Sequence, residues 1–146
     1  MKVADILRQK GNRVVTISDK KTVYDAICTL VSEKIGSVLV TDSDGQIVGI
    51  LTERDILRLA HSRLEEMKTI PVAEVMTRRL FVASPVDDVE EIKRLMTEKR
   101  IRHVPVFENG ALVGMVSIGD IVKHQLTDLS TENEMLKNYI SDRYPA

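Results

Sequence analysis

Gly49-Ile50-Leu51-Thr52-Glu53-Arg54-Asp55-Ile56 returns further along the chain as Gly114-Met115-Val116-Ser117-Ile118-Gly119-Asp120-Ile121. Gly114 lies 65 positions after Gly49, and Ser117 and Asp120 lie 65 positions after Thr52 and Asp55. A period of that size marks two copies of one supersecondary unit. Upstream the copies stay in step at an offset of 66, with Thr22-Val23-Tyr24-Asp25-Ala26-Ile27 matching Asp88-Val89-Glu90-Glu91-Ile92. One residue is missing from the turn between, which reads Asp42-Ser43-Asp44-Gly45 in the first copy and Glu108-Asn109-Gly110 in the second. Turns tolerate such length changes.

With 146 residues the chain has the length of one ordinary domain, so two half-length repeats are expected to share a core. The expected divisions are a first repeat over residues 1–65, a second over 66–128 and an amphipathic tail helix over 129–146. A formal net charge of -1 gives no general attraction to nucleic acid or an anionic membrane, so any anion site must be local. No run reaches the roughly 18 apolar residues of a membrane span, and Met1-Lys2-Val3-Ala4-Asp5 lacks the apolar core of a secretory signal, so a cytoplasmic protein is expected. Cys28 is the single cysteine, which excludes an intrachain disulfide and a cysteine metal cluster; it reads as partly buried packing beside Ile27.

Each half opens on a brief helical turn, Val3 to Leu7 and its echo Val72 to Met76. Short strands follow at Val14-Val15-Thr16-Ile17 and Leu80-Phe81-Val82-Ala83, both closed by turn residues. Thr22 with Asp25, and Asp88 with Glu91, form capping-box patterns ahead of helices that carry Val23, Ala26, Ile27, Leu30 and Val31 in one copy and Val89, Ile92, Leu95 and Met96 in the other. Paired apolar runs come next, Val38 to Val40 with Ile47 to Leu51, and Val104 to Phe107 with Leu112 to Val116. Asn109-Gly110 is a strong hairpin signal. Pro105 cannot donate to a ladder and belongs at a sheet edge or with its nitrogen turned outward. Helices from Glu53 to about Ala60 and from Gly119 to about Leu126 close the halves, and Ser62 to Ile70, ended by Pro71, reads as the linker. The result is an α/β class protein of two β-α-β-β-α repeats with three strands each, whose small sheets must dock on each other. Thr131 with Glu134 then caps a separate tail helix carrying Met135, Leu136, Tyr139 and Ile140 on one face, to cover either its own domain or a dimer partner.

Thr52-x-x-Asp55 and Ser117-x-x-Asp120 stand between a strand and a helix. One reading is capping, in which hydroxyl and carboxylate satisfy orphan amides. The other is an anion site, since free amides and the positive end of the helix dipole point outward at a helix start. The two readings coexist. Gly49 and Gly114 interrupt apolar strands, either for close approach of a ligand or to relieve crowding where the halves meet. An aspartate near a helix start also suits the vicinal hydroxyls of ribose.

The paired Gly-h-h-Thr/Ser-x-x-Asp motifs (h apolar), the repeat order, and the segment Glu98-Lys99-Arg100-Ile101-Arg102-His103-Val104-Pro105-Val106 resemble the CBS domain pair, or Bateman module, over about Val3 to Leu126. The resemblance implies a pseudo-twofold pair with clefts for adenosine compounds: AMP, ADP, ATP, S-adenosylmethionine or NAD, with AMP or NAD suggested by similarity to small stand-alone bacterial members. It also implies that each cleft joins one half's hydroxyl and aspartate to the other half's first strands. Thr52, Arg54 and Asp55 would meet Val82, Ile101, Arg102 and His103, while Ser117, Gly119 and Asp120 would meet Thr16, Ile35, Gly36 and Ser37. The first set carries Arg54, Arg102 and His103 where the second has Gly119, Gly36 and Ser37, so a phosphate-rich nucleotide is expected to bind more tightly at the Asp55 cleft. The family also implies a homodimer, with helix faces near Ile56 and Ile121 and the tail helix as surface.

His61, His103 and His124 match no ligand spacing, so no metal site is expected. Neither GxxxxGK[ST] nor GxGxxG occurs, and no nucleophile has an evident base partner. The reading is therefore a non-catalytic, energy-sensing module acting through an unidentified effector protein or a dimer rearrangement. The alternatives are a structural dimerisation module with vestigial clefts and, less favoured, an enzyme acting on the bound nucleotide.

Overall fold

The structure is a computed structural model, and it describes the backbone of residues 1–143 and the side chains of residues 1–138. Its elements run α1 (Val3–Lys10), β1 (Thr16–Ser18), α2 (Val23–Glu33), β2 (Ser37–Thr41), β3 (Ile47–Thr52), α3 (Glu53–Arg63), α4 (Val72–Val75), α5 (Val89–Lys99), β4 (His103–Glu108), β5 (Ala111–Ser117) and α6 (Ile118–Arg143), with a 3-10 turn at Leu64–Glu66. This is a mixed α/β fold with a long C-terminal helix. The chain forms two compact units, one of residues 13–81 and one of residues 1–12 with 82–146.

In the unit of residues 13–81, β1 runs parallel to β2 and β2 antiparallel to β3, with Ser37 opposite Thr52 and Val40 opposite Gly49. The capping box of Thr22 and Asp25 starts α2, and Lys34 ends it in the left-handed conformation at φ 56°. Val23, Ala26 and Leu30 are buried, whereas Val31 and Cys28, expected to pack, are exposed with Tyr24 on the outer face of α2. Helical spacing of 3.6 residues carries positions 24, 28 and 31 to the side opposite Ala26 and Leu30. Ile17, Ala26, Leu30, Val38, Val40 and Leu51 form one core cluster together with Val72 and Met76 from α4 and its C-terminal cap. The linker is partly structured, since Ile70 is buried with Val23 and Leu59.

In the other unit β4 and β5 form a hairpin with Pro105 opposite Met115. Asn109 at φ 52° and Gly110 at φ 78° supply the two left-handed residues of a type I′ turn. Asp88 caps α5 by accepting the Glu90 amide at 3.0 Å, in place of the reciprocal box with Glu91 that the sequence suggests. Val3, Ile6 and Leu7 of α1 are buried with Val89, Ile92, Met96, Val104, Val106, Val116 and Ile121.

Each leading helix thus lies on the sheet of the opposite repeat, and matching backbone bonds hold both. Val72 N donates to Lys21 O (2.7 Å), Ala73 N to Asp19 O (3.0 Å) and Val23 N to Ile70 O (3.0 Å). Val3 N donates to Asp87 O (2.9 Å), Ala4 N to Pro85 O (2.9 Å) and Val89 N to Met1 O (3.0 Å). The compact units therefore cut across the repeats as the sequence delimits them.

Two expectations are corrected. Leu80 to Ala83 is not a strand, and only Ala83 bridges β4, donating to Pro105 O (2.9 Å) and accepting from Phe107 N (2.8 Å). In the matching ladder of the first repeat Leu39 N donates to Val15 O (3.3 Å), and the equivalent donor to Phe81 would be the nitrogen of Pro105, which carries no hydrogen. The tail is also no separate helix, because α6 runs unbroken from Ile118 to Arg143. Thr131 does not cap; its hydroxyl donates to Thr127 O one turn back (3.0 Å). Met135 and Leu136 are exposed, so here the tail does not cover its own unit, while the side chains of Tyr139 and Ile140 lie outside the described residues.

A Cβ at Gly49 would stand 2.6 Å from Met76 Sδ and 2.9 Å from the backbone oxygen of Thr77, whose two-way bridge to Ile50 holds it in place. At Gly114 the nearest atoms are Leu7 Cδ2 (2.6 Å) and Cδ1 (3.0 Å), the movable end of a side chain. Gly49→Ala should therefore cost about 1–3 kcal/mol of unfolding free energy and Gly114→Ala less. Urea titration of both variants checks this; an equal or larger loss at Gly114 would contradict it.

Candidate functional site

The repeated motif forms the same strand-to-helix junction in both units. At the end of β3, Thr52 N donates to Asp55 Oδ2 (2.9 Å) and Asp55 N donates to Thr52 Oγ1 (3.4 Å). At the end of β5, Ser117 N donates to Asp120 Oδ2 (2.8 Å) and Asp120 N donates to Ser117 Oγ (3.1 Å). The first helical amide is likewise taken by the residue that precedes the neighbouring strand: Glu53 N donates to Gly36 O (3.2 Å) and Ile118 N to Arg102 O (2.8 Å). These bonds satisfy orphan donors of each helix start, which is the capping reading realised.

Within the unit of residues 13–81 the junction gathers Gly36, Ser37, Thr52 and Asp55. Ser37 is buried opposite Thr52, Ile35 packs on the core, Thr16 is exposed on β1 opposite Leu39, and Arg54 is exposed in the first turn of α3. Within the other unit the junction gathers Arg102, His103, Ser117 and Asp120. His103 is opposite Ser117, Ile101 packs on the core, Gly119 is exposed in the first turn of α6, and Val82 is exposed beside Ala83. Residues that the resemblance assigns to different clefts, such as Ser37 and Thr52, are thus register partners inside one unit.

The two aspartates differ in what surrounds them. Asp55 is 7 % exposed, and both its oxygens are engaged: Thr52 N and Oγ1 (3.2 Å) donate to Oδ2, and Thr77 Oγ1 donates to Oδ1 (3.1 Å). Arg58 Nη1 stands 4.0 Å from Oδ1, with its side chain mostly in solvent. Asp120 uses Oδ2 for Ser117 N and for the ammonium of Lys10 at 2.7 Å, and the Ser117 hydroxyl also bonds to its carboxyl. Lys10 Nζ also donates to Met115 O (2.8 Å). Burial pushes the Asp120 carboxyl up, but the hydrogen bond from Lys10, the Ser117 amide and the Lys10 charge together outweigh it and hold the group below its ordinary range.

Thr77 and Lys10 are the two residues that sequence reasoning missed. Thr77 lies 22 positions from its aspartate and Lys10 110 positions away, and neither belongs to the repeated motif. The available signal was the echo of Val3 to Leu7 in Val72 to Met76, since Lys10 ends α1 and Thr77 lies just beyond α4. Among the described residues no group of three or more His, Cys, Asp or Glu side chains is placed to hold a metal ion. None of their helices is long and apolar enough to cross a membrane.

The duplicated junction marks a paired module, and comparison with known proteins gives the family. The profile of the CBS domain matches residues 3–62 and again 72–127. The chain belongs to the CBS domain family and carries the domain twice. It is 32% identical over 97% of its length to the mitochondrial CBS domain-containing protein CBSX3 of Arabidopsis thaliana and spans 73% of that protein. It is 35% identical over 84% of its length to the transcriptional repressor CcpN of Bacillus subtilis but spans 59% of it, so that relative carries further chain. Among solved structures, the CBS-domain protein ATU1752 of Agrobacterium tumefaciens superposes with a TM-score of 0.84 at 38% identity, covering 86% of this chain and 99% of that one. The CBS domain pair of protein MJ0100, solved with 5′-methylthioadenosine and S-adenosyl-L-methionine, has a TM-score of 0.77 at 25% identity, covering 88% and 98%.

The depressed carboxyl of Asp120 has a signed consequence for stability. A group whose folded pKa lies below its unfolded value stabilises the fold above the unfolded pKa, and that contribution fades as pH falls through the folded pKa. Wild-type stability should drop on acidification below about pH 4, and Asp120→Asn should flatten part of that slope. Chemical denaturation at a series of pH values tests this; an unchanged slope would remove the Lys10–Asp120 pair from the acid response.

Proposed function

We propose that this chain is a non-catalytic sensor that binds an adenosine nucleotide, AMP, ADP, ATP or NAD, and passes its occupancy to an effector protein or through rearrangement of a homodimer. The observation that carries this reading is the duplicated junction, above all Asp120, whose side chain is 22% exposed beside a helix start and a cation. Such a carboxylate suits vicinal ribose hydroxyls. The adenosine ligands held by the MJ0100 pair point to the same class of compound. The residues assigned to binding are Thr16, Ile35, Gly36, Ser37, Thr52, Arg54 and Asp55 in one unit and Val82, Ile101, Arg102, His103, Ser117, Gly119 and Asp120 in the other. In this reading the bound nucleotide is a signal rather than a substrate. AMP, ADP or NAD should raise the melting temperature, and 2′-deoxy-AMP should raise it less than AMP. Equal shifts for AMP and its 2′-deoxy analogue would take the ribose role from the aspartates.

A second reading has an observation of its own. Asp55 is buried with both oxygens engaged by its own unit, as expected of a purely structural cap. Occupancy of that site would require Thr77 to yield, whereas Asp120 needs no such exchange. One ligand per chain in calorimetry would favour a vestigial Asp55 junction, and two would reject it.

Association has its own support. Ile118, Gly119, Val122, Lys123, Leu126, Thr127 and Ser130 line an open groove along α6, and Val122, Leu126 and Leu129 are exposed apolar residues on that helix. Ile121 is fully buried and Ile56 packs inward, so the available surface is that of their neighbours, Val122 and the exposed Leu57. Solvated apolar stripes of this kind are commonly covered in an assembly. Sedimentation equilibrium at micromolar concentration should give a dimer, and Leu126→Glu should shift it toward monomer. A monomeric wild-type chain would reject the homodimer.

A further inference from the structure

We infer that Lys10 is a phosphate-reading residue of the Ser117–Asp120 site, so that this site takes phosphorylated adenosine compounds in preference to neutral or cationic ones; the inference rests on the nucleotide-sensor reading above. An ammonium carries three donors. Two are spent, on Asp120 Oδ2 at 2.7 Å and on Met115 O at 2.8 Å, and these bonds pin Nζ beside the carboxylate. The third meets no acceptor among the described residues. The Lys10 side chain is 33% exposed and that of Asp120 22%, so the pair is partly withdrawn from water yet reachable by a ligand.

The geometry separates the two halves of a nucleotide. The partly exposed Asp120 carboxylate would accept a ribose hydroxyl, and a phosphate on the same sugar would face the ammonium. A charge-assisted hydrogen bond from lysine to phosphate would then add to the carboxylate–ribose bond without displacing it. Without Lys10 the junction would present an uncompensated carboxylate, which repels phosphate and attracts a sulfonium. With it, the carboxylate charge is neutralised and an N–H donor is presented at that edge. A cation in the last turn of α1 also suits the helix dipole, but that role alone requires neither a carboxylate 110 positions away nor a carbonyl of β5.

The other unit supplies an internal comparison. There the donor to the motif aspartate is the neutral hydroxyl of Thr77, and the nearby cation Arg58 stands at 4.0 Å with its side chain 78% exposed, where water screens it. Two closely matched capping boxes thus differ in whether a lysine or a threonine reaches the carboxylate. The sequence-based expectation put the phosphate-rich nucleotide at Asp55; on this inference Lys10 favours the Asp120 junction.

Calorimetry on the full chain with AMP and with adenosine tests this. Asp120→Asn identifies the binding phase that belongs to the Ser117–Asp120 site. In that phase Lys10→Met should weaken AMP about tenfold and change adenosine by less than about twofold, the loss of one charge-assisted bond. Lys10→Arg should restore AMP binding. Thr77→Lys, which places an ammonium at the other junction, should raise AMP relative to adenosine there, and this gain does not depend on how well Lys10→Met folds. Equal weakening of AMP and adenosine in Lys10→Met, without a gain in Thr77→Lys, would overturn the role of Lys10 and leave the sensor reading standing. Wild-type protein that binds neither ligand would instead remove the sensor reading, and the inference with it.

Discussion

The missing side chains at Gly49 and Gly114 are the constraint on which the rest of the structure depends. Each glycine is a point where a strand admits a segment from the opposite repeat at less than a normal Cβ contact, Met76 and Thr77 on one sheet and Leu7 on the other. This lets a leading helix seat flat on a sheet that is otherwise too small to bury its apolar face. Val72 and Met76 complete one core, and Val3, Ile6 and Leu7 complete the other. Because the helices are exchanged between repeats, neither repeat closes a unit from its own residues.

The same exchange delivers the chemistry. The segment that follows α4 pairs with β3 through Ile50 and Thr77, which brings the Thr77 hydroxyl to Asp55. The last turn of α1 brings Lys10 to Asp120. The carboxylates are thus ordered twice, once by their own capping boxes and once by a residue from the exchanged helix.

Much of the fold was legible because it is local. The capping boxes at Thr22, Thr52 and Ser117, the Asn109-Gly110 turn and the buried faces of the helices follow from spacing and residue type. The misses are non-local or concern competing local rules. Leu80 to Ala83 has strand composition, yet its partner donor is Pro105, a residue 22 or more positions away whose missing hydrogen becomes decisive only once the two are aligned. Thr131 carries a capping pattern, but the helix already running through it leaves no free amide to cap, and the hydroxyl turns back to Thr127.

The candidate site divides in the same way. The sequence by itself determined that the chain is a duplication, that each copy ends a strand in a hydroxyl–aspartate helix start, and that a glycine stands three residues before the hydroxyl in both. These are properties of neighbouring residues, and the backbone of a few positions settles them. Only the tertiary structure decided which helix covers which sheet, and so which side chain reaches each aspartate. Lys10 ends α1 and Thr77 lies just beyond α4, yet one brings a charge and the other a hydroxyl to carboxylates 110 and 22 positions away. The meeting depends on packing at a glycine, a long-range close approach that no local pattern encodes.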